Sequence, residues 1–169
     1  MDHDTGAPSG AGQAAPPDQS PRDQATGGAP ADEHDLQRFL QAQDGGVHER
    51  ALAELRAGRK RGHWIWFVLP QLRGLGLSAT SQHYGITGLD EARAYAAHPV
   101  LGARLRACCE ALTALATDDP VRVLGDVDAV KVRSSMTLFA AAVPGDPHFT
   151  GVLEHFYGGR VDPVTASRL

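Results

Sequence analysis

The sequence predicts a mainly α, compact single domain of about six helices behind a disordered N-terminal tail. Three observations carry that expectation. From His34 onward apolar residues recur at helical intervals, with Gly and Pro separating the periods. Strand-type alternation is scarce. From Met1 to Glu33 there is no Leu, Ile, Val, Phe, Tyr or Trp, so that stretch holds too little apolar surface to offset about 1–2 kcal/mol of backbone entropy per residue. Residues 1–33 are therefore read as the tail and 34–169 as the folded domain.

The elements follow in order. Asp35 is placed to cap a first helix with Leu36, Phe39 and Leu40 on one stripe. A second helix runs from about Val47 to Ala57 and stops at Gly58. Trp64–Leu69 is a short apolar run ending at Pro70, compatible with either a strand or a buried helical turn. Leu89–Ala97 begins with Asp90 and Glu91, which suit a positive helix end, and closes at His98-Pro99. In Val100–Ala116, Leu101, Leu105, Cys108, Leu112 and Leu115 form a core-facing stripe. Asp126 is expected to cap a helix reaching about Val143, apolar nearly all round after Arg133 and therefore central and buried. Phe149, Val152, Leu153 and Phe156 make a last short amphipathic helix before Gly158-Gly159.

Composition narrows the function classes. The 169 residues carry 16 Lys+Arg and 20 Asp+Glu. Six of the acids and only Arg22 among the bases fall in residues 1–33, which leaves the domain with 15 basic and 14 acidic residues. Broad nucleic-acid binding needs a stronger positive field than that. No apolar stretch is long enough for a membrane span, and the N-terminus lacks a signal-peptide pattern, so a cytoplasmic protein is expected. The only cysteines, Cys108 and Cys109, are adjacent, which excludes a disulfide framework and the spaced ligand pairs of structural zinc. The histidines also lack metal-ligand spacing, so neither metal nor cofactor is expected.

Two stretches hold the candidate chemistry. The first runs from Arg56 to Gly76 and interleaves Arg61, His63, Gln71 and Arg73 with Trp64 and Trp66, the only tryptophans in the chain. Guanidinium groups suit phosphate oxygens and an indole face can stack on a base, so a nucleotide-like small molecule fits this composition. Equally, the tryptophans can be core and the cations a solvated helix end. Gly74-Leu-Gly76 lacks the companions of a dinucleotide fingerprint or a phosphate loop and reads as turn geometry. The second stretch is Lys131, Ser134 and Ser135, at i, i+3 and i+4 of the long helix. A lysine there can hold a phosphate or act as a base, while the two serines can also simply permit close packing.

Blocks along the domain resemble the family called domain of unknown function 1810. They include Phe39-Leu-x-Ala-Gln43, the run from Glu49 through His63-Trp-x-Trp-Phe67, Leu69-Pro-Gln-Leu-x-Gly-Leu-Gly76 and His98-Pro-x-Leu-Gly102. Lys131-x-x-Ser-Ser-Met-Thr-Leu-Phe139 and Val152-Leu-x-x-Phe156-x-x-Gly159 complete the match over about residues 34–169. His48 stands where the family usually has Tyr, and Gly62 where a small hydroxyl residue is usual. The resemblance implies a small, mainly helical bacterial domain without an established activity. It also implies a fold similar to the YbiA-like superfamily, whose NADAR members are N-glycosidases acting on ADP-ribosyl groups or ribosyl-phosphate intermediates. Fold likeness alone does not carry function.

Joined together, these readings lead to a domain that binds an ADP-ribose or ribose-phosphate type of molecule between the Trp64/Trp66 segment and the Lys131–Ser135 helix. Lys131, Arg61 and Arg73 would meet phosphate and Trp would stack a base. The reaction implied is hydrolysis of an N-glycosidic bond, for which a carboxylate must steady positive charge at the sugar carbon and activate water. Glu49 and Glu54 are candidates that spacing cannot separate. The alternative is a non-enzymatic ligand-binding or protein-interaction module built from the same blocks.

Overall fold

The computed structural model describes residues 32–169, and within them the chain forms ten helices rather than about six. Apart from Asp32 and Glu33, the expected tail lies outside the described residues. The helices are α1 (Gln37–Gln43), α2 (Val47–Arg56), α3 (Ile65–Val68), α4 (Ala79–Tyr84) and α5 (Leu89–Ala97), followed by α6 (Leu101–Thr113), α7 (Pro120–Leu124), α8 (Asp126–Ala142), α9 (Pro147–Tyr157) and α10 (Pro163–Ala166). No strand occurs among the described residues; one isolated parallel bridge joins Leu72 to Ile86. The apolar run at Trp64–Leu69 resolves into the helical turn α3.

The additional helices are short and have local causes. In α7 and α10 an Asp-Pro pair supplies both starting signals: Asp119 accepts from the Val121 and Arg122 N–H groups, and Asp162 accepts from that of Thr165. Proline at the first helical position lacks only an N–H that would be orphaned anyway. The same pair starts α9 two residues earlier than the apolar pattern suggests, with Asp146 accepting from the His148 N–H. Ser78 caps α4 through the Ser81 N–H.

Two expected caps are corrected. Asp35 sits at φ 49° with no capping bond; Asp32 instead accepts from the N–H groups of His34 and Gln37. The residue flanking α8 is Gly125, at φ 82°, and Asp126 makes no side-chain cap. Asp126 and Asp128 still meet the positive helix end, and their carboxylates are left for other partners.

The core is a spine of aromatic rings across four helices. Phe39 of α1 meets Tyr95 of α5 at 5.0 Å between centroids, Tyr95 meets Phe139 of α8 at 5.4 Å, and Phe139 meets Phe149 of α9 at 5.5 Å. All four side chains are fully buried, each contributing roughly 1.5–3 kcal/mol by leaving water. The Tyr95 hydroxyl is satisfied by Gln43 Nε2 at 2.9 Å and Phe67 O at 3.2 Å, which ties α1, α3 and α5 together. Gly102 allows α6 to start hard against α5, where an added Cβ would lie 2.1 Å from Ala96 O. From Val132 onward α8 is central as expected, but its first turns leave Val127 and Val130 exposed.

Glu54 of α2 shapes the turn that leads to α3. It accepts from Arg61 N at 2.7 Å, Gly62 N at 3.0 Å and Trp64 Nε1 at 2.8 Å, and these donors hold its carboxyl below the usual range against the opposing effect of burial. A Cβ at Gly62 would fall 2.8 Å from Trp64 Cδ1, so a side chain at this position would need the indole to shift, and glycine lets it sit close. Glu54→Ala is expected to lower unfolding free energy by about 1–2 kcal/mol, and Glu49→Ala by less than about 0.5 kcal/mol, both read from urea midpoints.

A pH dependence follows from His48, buried on α2 beside Arg104 O at 3.4 Å. Burial holds its imidazole below the ordinary value of 6.5, so the unfolded chain takes up the proton first. The stability contributed by neutral His48 is full above that value and is lost as pH falls through it. Glu54, Asp128 and Asp146, also held low, add further loss below their ordinary values of 4.5 and 3.8. The urea midpoint should fall from about pH 7.5 to about pH 5.5, and His48→Gln should remove most of that decline.

Candidate functional site

The segment between α2 and α3 reaches α8 through one carboxylate. Asp128, on the first turn of α8, receives Lys60 Nζ at 2.6 Å and Lys131 Nζ at 2.8 Å. Both lysines are largely buried, and their ammonium groups hold the Asp128 carboxyl below the usual range although burial pushes it up. Lys60 Nζ also donates to Gly62 O at 2.5 Å and lies 5.0 Å from the Trp64 ring centroid. Lys131 Nζ lies 3.8 Å from the Trp66 ring centroid. Each ammonium thus has a carboxylate on one side and an indole face on another, which offsets the cost of withdrawing it from water.

A hollow of about 520 Å³ opens beside this cluster. Trp66, Gln71, Leu75 and Gly76 form one wall; Asp126, Val127, Val130, Lys131 and Ser134 come from α8; Asp162 and Val164 come from the C-terminal segment. Gly76 is required by close approach, since a Cβ there would lie 2.8 Å from the Ser81 side chain. Ser134 and Asp162 are buried, Trp66 is half-buried, and the three α8 and α10 residues Val127, Val130 and Val164 are exposed at the rim. Asp162 uses Oδ2 to accept from Thr165 N at 2.8 Å and Thr165 Oγ1 at 2.7 Å; Oδ1 accepts no hydrogen bond among the described residues.

The residues singled out by sequence separate into three groups. Trp66, Gln71, Lys131 and Ser134 share the hollow. Trp64 and Ser135 lie in the interior, Trp64 with its indole N–H committed to Glu54 and Ser135 with a fully buried hydroxyl that has no hydrogen-bond partner among the described residues. Arg61, His63 and Arg73 are exposed; Arg61 and His63 line no part of the hollow, and Arg73 lines a different cleft of about 600 Å³ with Asp32, Arg38 and Glu91. Neither Glu49 nor Glu54 reaches the hollow.

Sequence reasoning missed Asp126, Val130 and Asp162. Two of them carried a readable signal: Asp126, Val130 and Ser134 recur every four residues and so share a face of α8. Asp162 announces itself only as the first half of an Asp-Pro helix start. Among the described residues no group of three or more His, Cys, Asp or Glu is placed to hold a metal ion, and no helix is long and apolar enough to cross a membrane.

Comparison with known proteins adds kinship without an activity. No curated protein matches the chain. The crystal structure of the conserved hypothetical protein Rv1873 from Mycobacterium tuberculosis superposes with a TM-score of 0.79 and is 46% identical, covering 82% of this chain and 98% of that one. The family model described as protein of unknown function (DUF1810) matches residues 33–169. With its helices, its blocks and that match in agreement from one end of the folded part to the other, the chain belongs to the DUF1810 family.

Proposed function

We propose that the domain binds a nucleoside-like small molecule, a flat ring joined to a hydroxylated sugar, in the hollow between Trp66 and α8. The observation that carries this reading is that an indole from residue 66 and an ammonium and hydroxyl from residues 131 and 134 border one hollow large enough for such a ligand. Trp66 offers an aromatic face, Gln71 both a donor and an acceptor, and Ser134 a hydroxyl. Asp126 and the free Oδ1 of Asp162 offer acceptors suited to sugar hydroxyls or an exocyclic amine.

Charge places any phosphate outside. Among the described residues Lys131 is the only cation lining the hollow and Asp128 already pairs with it, while Asp126 and Asp162 add two carboxylates. A doubly charged phosphate would meet more repulsion than attraction there. Ring and sugar therefore belong inside, and a phosphate or diphosphate tail belongs toward solvent.

The reaction in view is hydrolysis of the N-glycosidic bond. Such a step needs a carboxylate near the sugar carbon as positive charge develops, and the same or a second carboxylate to take the proton of the attacking water; the C–O bond forms as the C–N bond breaks, and that proton ends on the departing base. Asp126 and Asp162 border the hollow and are the carboxylates this reading assigns to that task, whereas Glu54 is spent on the turn at Arg61–Trp64. The likeness to N-glycosidases that the family resemblance implies enters this reading as an analogy alone.

Calorimetric titration with adenosine, ADP-ribose and ribose 5-phosphate checks the reading. The two base-bearing compounds should bind, ribose 5-phosphate should bind far more weakly, and Trp66→Ala should weaken adenosine by about tenfold or more. Chromatography of the same mixtures should show free base with wild type and none with Asp162→Asn. Absence of heat with both base-bearing compounds would contradict the binding reading, and binding without release of base would leave a binding module in place of an enzyme.

A further inference from the structure

Residues 160–169 are held to the rest of the domain in a way of their own. They add no side chain to the apolar core: Val161 is 47% exposed, Val164 48% and Leu169 39%. The two buried side chains of the segment, Asp162 and Thr165, are polar and bond each other. Attachment runs through hydrogen bonds instead. Arg133 of α8 donates from Nε to Arg160 O at 3.0 Å and from Nη2 to Val161 O at 2.8 Å. Thr137 Oγ1 accepts from Asp162 N at 2.8 Å, and at the far end Arg168 Nη1 donates to Gly74 O at 3.0 Å. The arginine bonds are exposed to solvent, where water competes for both partners and leaves each a small net contribution.

The segment follows Gly158 and Gly159, at φ 59° and 74°, two consecutive positions with no side chain to hinder rotation of the backbone. It also forms one wall of the hollow, through Asp162 and Val164. The other walls are anchored: Trp66 and Leu75 pack against the core, and α8 buries Val132, Met136, Leu138 and Phe139 in it. One wall is therefore hinged at a glycine pair and fastened by polar bonds alone, while the rest of the hollow is fixed.

We propose that residues 160–169 are a strap that swings on Gly158-Gly159 to open and close the hollow while the helical core stays folded. Closure delivers Asp162. Thr137 donates its own hydroxyl proton to Arg133 O at 2.8 Å, which leaves a lone pair of that oxygen for the Asp162 N–H and so fixes where the Asp162 backbone seats. Its side chain then uses Oδ2 on Thr165 and leaves Oδ1 without a protein donor among the described residues. Opening turns the hollow into a groove along α8 through which a ligand enters, as expected of a binding-site segment drawn from the least stable part of a fold. The hinge stands on the strap's own bonds; only its coupling to a ligand rests on the reading of the hollow as a nucleoside site.

Hydrogen exchange of the full chain, followed amide by amide by NMR, tests the proposal. The Asp162 and Thr165 amides should exchange at least about tenfold faster than those of Leu138 and Phe139 in α8, as local opening below the global unfolding energy requires. Their rates should stay flat as urea rises toward the unfolding midpoint, while the α8 amides accelerate. Arg168→Ala, at the exposed far end, should speed exchange at Asp162 by about threefold or more, which only a strap moving as one unit transmits over six residues. Adenosine at about 100 times its dissociation constant should slow Asp162 by about 100-fold, because a ligand that needs the closed strap must leave before it opens. Asp162 accelerating with urea in step with α8, or indifferent to Arg168→Ala, would overturn the strap. Adenosine that binds by calorimetry and slows α8 but not Asp162 would overturn the coupling of strap to ligand and leave the ligand site standing. If calorimetry shows no heat with adenosine, the ligand reading alone fails, and the urea and Arg168→Ala results still decide the strap.

Discussion

Asp128 accepts the ammonium groups of Lys60 and Lys131 together, and the arrangement of the site depends on that shared carboxylate. Two positive groups this close would repel in the low-dielectric edge of a core without an anion between them. With the anion present, the turn before α3 is pinned to the first turns of α8. Trp64 then turns inward under Lys60, and Trp66 comes to rest against Lys131 at the hollow's wall. Glu54 does the complementary work from α2 by collecting the N–H groups that the turn exposes.

The two lysines and two tryptophans are therefore unequal partners in spite of their similar settings. Lys60 and Trp64 are spent on structure: one binds Gly62 O and Asp128, the other binds Glu54 and is buried. Lys131 and Trp66 retain access to the hollow. Because Lys131 is already paired, the hollow offers a ligand an aromatic wall, amide and hydroxyl groups and two carboxylates more than it offers positive charge. The proposed preference for a ring-and-sugar ligand over a simple phosphate rests on that balance.

Much of the fold was legible because its long helices have strong apolar periods. Leu89–Ala97 falls where Asp90, Glu91 and His98-Pro99 place it, and the Leu101–Leu112 stripe is buried as its spacing requires. The short helices were hidden because four or five residues carry no period; only their caps, Asp119-Pro120 and Asp162-Pro163, betray them. The meeting of residues 66, 71, 131 and 134 was anticipated from chemistry, while Arg61, His63 and Arg73 show how a dense local cluster of cations can fan out over different surfaces. Exposure of Val127 and Val130 was illegible, since an apolar residue before the last covering helix looks the same in sequence whether it is covered or not.

The chain has only two tryptophans, so the indole N–H region of a nitrogen–proton NMR spectrum reads the site directly. On titration with adenosine, the Trp66 signal should move progressively while that of Trp64, locked to Glu54, stays in place. Movement of Trp64 alone, or no movement of Trp66 at saturating adenosine, would contradict the assignment of the Trp66–Lys131 hollow as the ligand site.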